Sequence, residues 1–537
     1  MSARTARTPR ERRRARVTAA GRPPEGPERT ACVLRRWFVA PDPGRLRLRA
    51  AARAVLGIAL AVLGCALAGL PLPDVITGGL VALLALFTVT DATVRAQALT
   101  TALLPAAGVP VLALATLLQG QPLARDLAFL TVAVAAVYAR RWGARGHTLG
   151  VFAFMTYFVA QFLAAVPGDL PGLYGAMAIG LAAASAVRFG LWCYERRLPP
   201  AALPAPPAVP GLVGIATRQS VQVAVAGALA LGLGQLLSQD RWYWAVGAAW
   251  WSFVNTTSRG ETLVRGARRV LGTVIGVSAG LLAAVPAHGS LPATAVLSAV
   301  CVFGVFYTAA VSYTWMMFFV TVLVSLLYGI LGALDGPLLA LRVAETGLGA
   351  LCAAFAVALI LPITTHSTTD AWIRQAVACV HHCTAEAAAR LTGSATADPA
   401  PGIAELEALL GRVRLSLAPL VHPLSPLRAR KARALRVLAL LDVCVREVRG
   451  LASVAADPAA SHDARQVAAA CRRVEAAVHA LVPQAAGRPP RRTAEEPAVA
   501  QPTGTEAALG HLHALERALA DLAAPLLSSP RAPLASL

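Results

Sequence analysis

Between residues 54 and 361 the chain runs through twelve apolar stretches joined by short polar connections, and no other feature of the sequence limits its fold as strongly. A helix that crosses roughly 30 Å of hydrocarbon at about 1.5 Å per residue needs about 17–25 predominantly apolar residues. Stretches of that length, or slightly shorter, cover 54–71, 75–91, 98–118, 126–139, 148–166 and 172–193. A second set covers 214–236, 242–257, 269–285, 292–309, 313–331 and 338–361. In lipid every backbone N–H and C=O must find its partner within the protein, which favours helices over open strands. The pattern predicts an all-α integral membrane protein of about 12 spans. Beyond residue 363 it changes to amphipathic helices rich in Ala, Leu, Arg and Glu, read as a C-terminal cytoplasmic helical domain.

Composition agrees with lipid contact. Hydrophobic residues make up 56% of the chain and charged residues only 14%, where a soluble domain carries about 25% charged. The formal charge of +21 invites a nucleic-acid reading, but no zinc-finger spacing or aromatic-interleaved basic groove accompanies it, and no nucleic-acid partner is expected. Nine scattered cysteines without a CxxC pair predict neither a disulfide framework nor a metal site. No GxxxxGK[ST] loop, HExxH helix or GxSxG elbow is present, so the chain is not expected to be an enzyme or to hold a cofactor.

The arginines orient the chain, because Lys and Arg in short loops stay on the cytoplasmic side. Arg95, the group Arg140, Arg141 and Arg145, the pair Arg196 and Arg197, and the group Arg259, Arg265, Arg268 and Arg269 fall in alternate connections. The opposite connections hold only Arg125 and Arg241, each beside an aspartate, Asp126 or Asp240. Both termini are therefore placed in the cytoplasm, with the chain in the plasma or inner membrane. The expected domains are a disordered basic arm (1–50), a first membrane module (51–197), a Pro-rich linker (198–211), a second module (212–363), a helical domain (364–483), a disordered linker (484–503) and a final helix and tail (504–537). Tail helices are expected near 366–392, 402–416, 427–453, 462–483 and 504–527. Leu435, Leu438, Leu441 and Val443 form an apolar stripe for a bundle or for self-association into a homo-oligomer.

The two modules share a register. Thr93, Val94, Arg95 and Ala96 precede a helix containing Gly108, and Thr257, Ser258, Arg259 and Gly260 precede one containing Gly272, at a constant offset of 164. With an even number of spans in each, the modules would be two parallel six-helix transmembrane repeats.

The densest polar signal is SRGETLVRGARRVLGTVIGVSAG, residues 258–280. Arg265, Arg268 and Arg269 lie three and four apart, so Arg265 shares a helix face with both. Gly272, Gly276 and Gly280 form a small-residue stripe for close helix packing. The arginines are either cytoplasmic anchors or the cationic mouth of an anion pathway. Together with Trp242, Tyr243, Trp244 and Ala245, the Gly260-x-Thr262-x-x-Arg265 connector and the Arg269-x-x-Gly272-Thr273-x-x-Gly276 helix start resemble the fusaric-acid-resistance-like family, which includes aromatic carboxylic acid efflux pumps. The resemblance covers the second module, reaches the first only through the repeat, and hardly touches the tail. It implies two six-helix modules with cytoplasmic helices attached, and export of small organic acids coupled to an ion gradient.

Other candidates are polar or aromatic groups at membrane depth. Arg342 and Glu345 share a face of the last span, where they either neutralise each other or leave Glu345 to titrate during coupling. Arg188 is expected to snorkel to the interface. Asp91 and Asn255 close the second and eighth spans at corresponding positions. Trp242 to Trp244 would sit in an interfacial aromatic belt, while Trp250 and Trp251 lie deeper, for stacking on a planar acid or for packing. The leading expectation is a secondary exporter of small organic anions, aromatic carboxylates foremost. An anion channel and a non-transporting scaffold with a partner-binding tail remain alternatives.

Overall fold

Every apolar stretch becomes helical, and the departures from expectation occur where a helix stops early or starts early. The computed structural model describes residues 45–91, 93–195, 212–284, 290–332, 334, 336–361, 365–394, 396–421, 428–456, 464–481 and 504–527. Most of the expected N-terminal arm and the two expected linkers lie outside these residues. Twelve α-helices precede the tail among the described residues. They are α1 (Leu46–Leu67), α2 (Leu72–Thr88), α3 (Val94–Leu117), α4 (Pro122–Tyr138), α5 (Gly143–Phe162), α6 (Leu170–Glu195), α7 (Leu212–Leu237), α8 (Tyr243–Phe253), α9 (Arg259–Ala284), α10 (Leu291–Ala309), α11 (Tyr313–Ile330) and α12 (Gly336–Leu359). No strand occurs among the described residues.

Nine stretches among the described residues are long and apolar enough to cross a membrane. One of them, Pro122–Phe162, holds both α4 and α5, joined by a 3-10 turn over Ala139–Trp142. Helix α2, with 17 residues, and α8, with 11, are shorter than these. Leu67, Leu236, Leu282 and Leu351 stand exposed on the outer faces of the bundle, an arrangement suited to lipid and not to water. The chain is a multi-pass membrane protein.

Packing follows one scheme in each half. In the first, α1, α2 and α6 pack on one another, α5 packs on α3 and α4, and α3 touches α6. In the second, α7, α8 and α12 pack on one another, α11 packs on α9 and α10, and α9 touches α12. The halves meet on their flanks, α1 against α10 and α4 against α7.

Helix α9 carries the glycine stripe into its contact with α11. A Cβ at Gly272 would stand 2.5 Å from the Thr314 carbonyl oxygen. At Gly276 it would stand 2.7 Å from Thr321 Cβ and 2.9 Å from Phe318 O, and at Gly280 2.5 Å from Ser325 Oγ. Absence of side chains is thus what lets the backbones approach. The N-terminus of α9 lies ten residues before its apolar run because Ser258 and Glu261 cap it. Ser258 Oγ accepts from the Glu261 N–H, and the Glu261 carboxylate accepts from the Thr257 N–H and hydroxyl. The arginines expected in a loop are therefore helical.

Three further expectations are corrected. Trp242, Tyr243 and Trp244 are buried in the protein and do not form an interfacial belt. They pack against Phe129, Phe158, Phe162 and Tyr328, a role that a transfer scale does not distinguish from interfacial anchoring. Arg140 and Arg269 are buried as well, so the loop arginines are not all membrane anchors. Arg188 is also buried, held by backbone carbonyls and not snorkelling.

Beyond the membrane helices, α13 (Thr365–Leu391), α14 (Ala400–Val421), α15 (Arg428–Ala455), α16 (Ala464–Leu481) and α17 (Gly504–Leu527) share one apolar core. On α15 the buried face runs through Ala434, Val437, Leu441, Cys444, Val448 and Leu451, while Leu435 is exposed. The expected stripe is displaced by a residue because α15 is covered from two sides, by α14 and α17. Burial pushes the Cys444 thiol up to about 12, which suits a packing group better than a reactive one. The bundle touches the membrane helices where α13 and α14 meet α9.

The glycine contact yields a stability test. Gly276→Ala is expected to lower stability by about 1–3 kcal/mol through overpacking, whereas Gly347→Ala, whose new Cβ meets nothing within 4 Å, leaves it unchanged or raises it. Equal unfolding midpoints for the two variants in detergent would refute the close α9–α11 approach.

Candidate functional site

Helices α2 and α8 both end inside the protein, which exposes carbonyl groups that a longer helix would satisfy. After α8 the chain extends through Val254, turns left-handed at Asn255 (φ 57) and continues to Ser258. Arg140, from the 3-10 turn after α4, reaches this break. Its Nη1 donates to Phe253 O at 3.3 Å and Gln219 Oε1 at 2.5 Å, and its Nη2 donates to Thr256 O at 3.1 Å. Gln219 also donates to Thr256 O. Arg188 of α6 does the same for α2, donating to Val89 O at 2.9 Å and Ala85 O at 2.8 Å. Each cation lies at a helix C-terminus, where the partial negative charge of the carbonyls favours it.

Because the halves touch mainly on their flanks, a central cavity of about 160 Å³ remains between them. Its wall comes from α2, α5, α8 and α11, the second and fifth helices of each half, with Phe87, Phe158, Phe162, Trp244, Trp251 and Met317 among the lining side chains. Among the described residues, Arg269 of α9 is the one cationic residue lining it. That side chain is buried. Its Nη1 donates to Tyr313 Oη at 3.3 Å, and its buried Nε has no hydrogen-bond partner among the described residues. A guanidinium with a free donor beside an apolar, aromatic cavity is suited to a carboxylate carried on a ring.

A second cavity, of about 150 Å³, lies between the start of α9 and the tail bundle. Asn255, Glu261, Arg265 and Arg268 line it from the membrane helices, and Trp372, Arg412 and Leu415 from the tail. Tyr313 stands in its wall, with the Arg265 guanidinium 3.9 Å from its ring centre. Since Tyr313 also accepts from Arg269, the Arg265–Tyr313–Arg269 stack partitions the two cavities. On the far side, Trp244 Nε1 donates to Tyr328 Oη at 2.9 Å and Phe162 packs edge-on against Tyr328. Trp244 and Phe162, which both line the central cavity, are thus tied to Tyr328 at that end.

The structure separates residues that the sequence grouped. Arg269 and Trp251 reach the central cavity, whereas Arg265, Arg268 and Asn255 line the tail-facing one. Arg259 is exposed at the start of α9 and lines neither cavity. Asp91 occupies the break after α2, its carbonyl accepting from Gln97 and its Oδ2 buried without a partner among the described residues. Trp250 stacks on Phe154 with ring centres 4.0 Å apart and donates to Ala133 O, so it packs the core. Arg342 and Glu345 do not neutralise each other as an ion pair. The Arg342 guanidinium lies 3.3 Å from the Trp244 ring centre, and neither Glu345 carboxyl oxygen has a hydrogen-bond partner among the described residues. The aromatic face of Trp244 takes the cation, and the wholly buried carboxyl is left without a hydrogen-bond donor among the described residues. Sequence reasoning missed the roles of Arg140, Gln219, Tyr328 and Arg412. Two glutamines near the start of a span, Gln219 and Gln222, were the available signal for Gln219, and the others carry none that spacing reveals.

Residues 229–356, from late α7 almost to the end of α12, match the sequence model of the family described as fusaric acid resistance protein-like. No curated protein and no solved structure matches the chain.

The clamp at α8 is testable through chemistry that lysine lacks. Arg140→Lys keeps the charge but loses the fork that spans three acceptors, so stability is expected to drop by roughly 2–3 kcal/mol, the worth of charge-assisted bonds. Unfolding midpoints within error of wild type would show that the carbonyls are satisfied without it.

Proposed function

We propose, with that family module as the premise, that the chain is a secondary transporter exporting small organic acids, aromatic carboxylates foremost, driven by an ion gradient across the plasma or inner membrane. The observation that carries this reading is the central cavity with Arg269 at its wall. An apolar cavity of about 150 Å³ is large enough for a benzene-sized ring, and the central one is about 160 Å³. The ring is held by Phe158, Trp251 and Met317, and the carboxylate by Arg269. Closures at Tyr313 on one side and Tyr328 on the other would open in turn, so the cavity faces each side of the membrane alternately. The tail and both termini lie in the cytoplasm in this reading, as the arginine distribution suggests.

The two halves are best read as a parallel duplication. Matching helix pairings support this, as does the 164-residue offset that links Val89 O, held by Arg188, to Phe253 O, held by Arg140. Glu345 is the coupling group. An ionised carboxyl without donors in a dry interior is costly, and a bound proton removes that cost. Proton binding and release there would track which closure is open, with Arg342 and Trp244 beside it at the far gate.

Transport in proteoliposomes tests the reading. Benzoate is expected to accumulate against its own gradient only when a proton gradient is imposed. Purely downhill flux would indicate a channel, and absence of flux a scaffold. Arg269→Gln is expected to lower kcat/KM for benzoate by about 10–100-fold, the worth of a charge-assisted hydrogen bond. Arg268→Ala lowers it through weaker collection of anions at the mouth. Glu345→Gln keeps downhill exchange and loses the dependence on the proton gradient. Unchanged kinetics in the Arg269 variant, with normal insertion, would remove the site assignment.

A further inference from the structure

Nothing assigned so far gives the tail bundle a part in ligand binding, yet Trp372, Arg412 and Leu415 form part of a cavity wall. We infer that the tail-facing cavity is a second binding site for an aromatic carboxylate, shared between α9 and the tail, with Arg412 and Arg268 as its anion-binding groups and Trp372 and Tyr313 as its aromatic walls. The class of ligand rests on the proposed function, whereas the anionic character rests on the cavity itself. Arg265, Arg268 and Arg412 all line it. Among the described residues no carboxylate pairs with Arg268 or Arg412, although Arg412 lies 6.0 Å from the ring centre of Trp372. The acid in the wall, Glu261, already accepts from the Thr257 N–H and hydroxyl. Nearby tail acids are also engaged, Glu407 with Arg449 and Asp442 with Arg414. Among the described residues the cavity wall therefore carries three arginines against one carboxylate, with Trp372, Tyr313, Val264 and Leu415 as its apolar surface, and its volume of about 150 Å³ is close to that of the central cavity.

The stack of Arg265, Tyr313 and Arg269 is the shared wall. A carboxylate held at Arg268 and Arg412 lies next to Tyr313, whose hydroxyl accepts from Arg269. Occupancy of this site thus loads the ligand one partition away from the central cavity, and it ties ligand binding to docking of the tail against α9.

Calorimetric titration of benzoate into the full-length protein in lipid nanodiscs tests the inference. Two sites are expected in the wild type. Arg412→Gln is expected to weaken one of them by at least about 10-fold, the effect of losing one charge-assisted contact. Leu415→Glu, at an exposed position of the same wall, is expected to weaken the same site by placing a negative charge there without disturbing the bundle core. Arg269→Gln is expected to weaken the other. Benzoate binding that responds to Arg269→Gln and to neither tail variant overturns this inference and leaves the central site standing. Binding that responds to the tail variants and not to Arg269→Gln supports this site and overturns the central one. Absence of benzoate binding altogether overturns both.

Discussion

The fold depends on how backbone carbonyls are satisfied where a helix stops inside the membrane region. A continuous helix settles this problem internally, whereas α8 stops after 11 residues and leaves Phe253 O and Thr256 O to find other donors. Arg140 donates to both from the other half of the molecule, beside the Thr256 hydroxyl at Phe253 O and the Gln219 amide at Thr256 O. A neutral donor could satisfy one carbonyl, but a planar guanidinium spans several at once and adds a favourable charge at the helix terminus. The arrangement also joins α4, α7 and the α8–α9 break, which positions the first turns of α9 and hence its arginines. The geometry of both cavities, which meet the first turns of α9, follows from that junction.

Helix α11 links the cavities. Tyr313 is its first residue and Tyr328 lies near its last turn, roughly 22 Å apart at 1.5 Å per residue. The first belongs to the partition on the tail side, the second to the closure on the far side. The same helix packs against the glycine stripe of α9 through Thr314, Met317, Phe318, Thr321 and Ser325. Because both tyrosines sit on one helix, a shift of α11 as a unit would move them together.

Much of this was legible in the sequence, for definable reasons. Hydropathy found the membrane helices because burial in lipid is a one-dimensional constraint on composition, and amphipathic spacing found the tail helices to within a few residues. The glycine stripe was legible because its period is that of one helix face. Misassignments arose where three-dimensional neighbours decide a residue's role. Arginine counting treats Arg140 and Arg269 alike with Arg259, although the first two are buried and the last is exposed. Spacing along α12 puts Arg342 and Glu345 on one face, but Trp244, from α8, takes the cation. Of the candidate site, Arg269 and Trp251 were visible as residue types, while the wall contributed by α2 and α5 was not. Leu83, Phe87 and Phe158 differ from any other apolar span residue only in what they face.

The contrast between the halves bears on which of them carries specificity. On the proposed duplication, Arg259 of α9 corresponds to Arg95 of α3 and Gly272 to Gly108, and Gly108 likewise allows close approach, with Phe152 and Met177 beside it. The packing frame is therefore shared. The charged positions are not, since Arg265, Arg268 and Arg269 correspond to Thr101, Leu104 and Pro105. Two copies each carrying three arginines would place excess positive charge in the dry centre, at a desolvation cost of several kcal/mol per uncompensated ion. One cation on the central wall is enough to hold one carboxylate, and the other half then contributes apolar surface alone. The arginines of the second half also lie beside α13 and α14, so one helix lines the central cavity with Arg269 and the tail-facing cavity with Arg268.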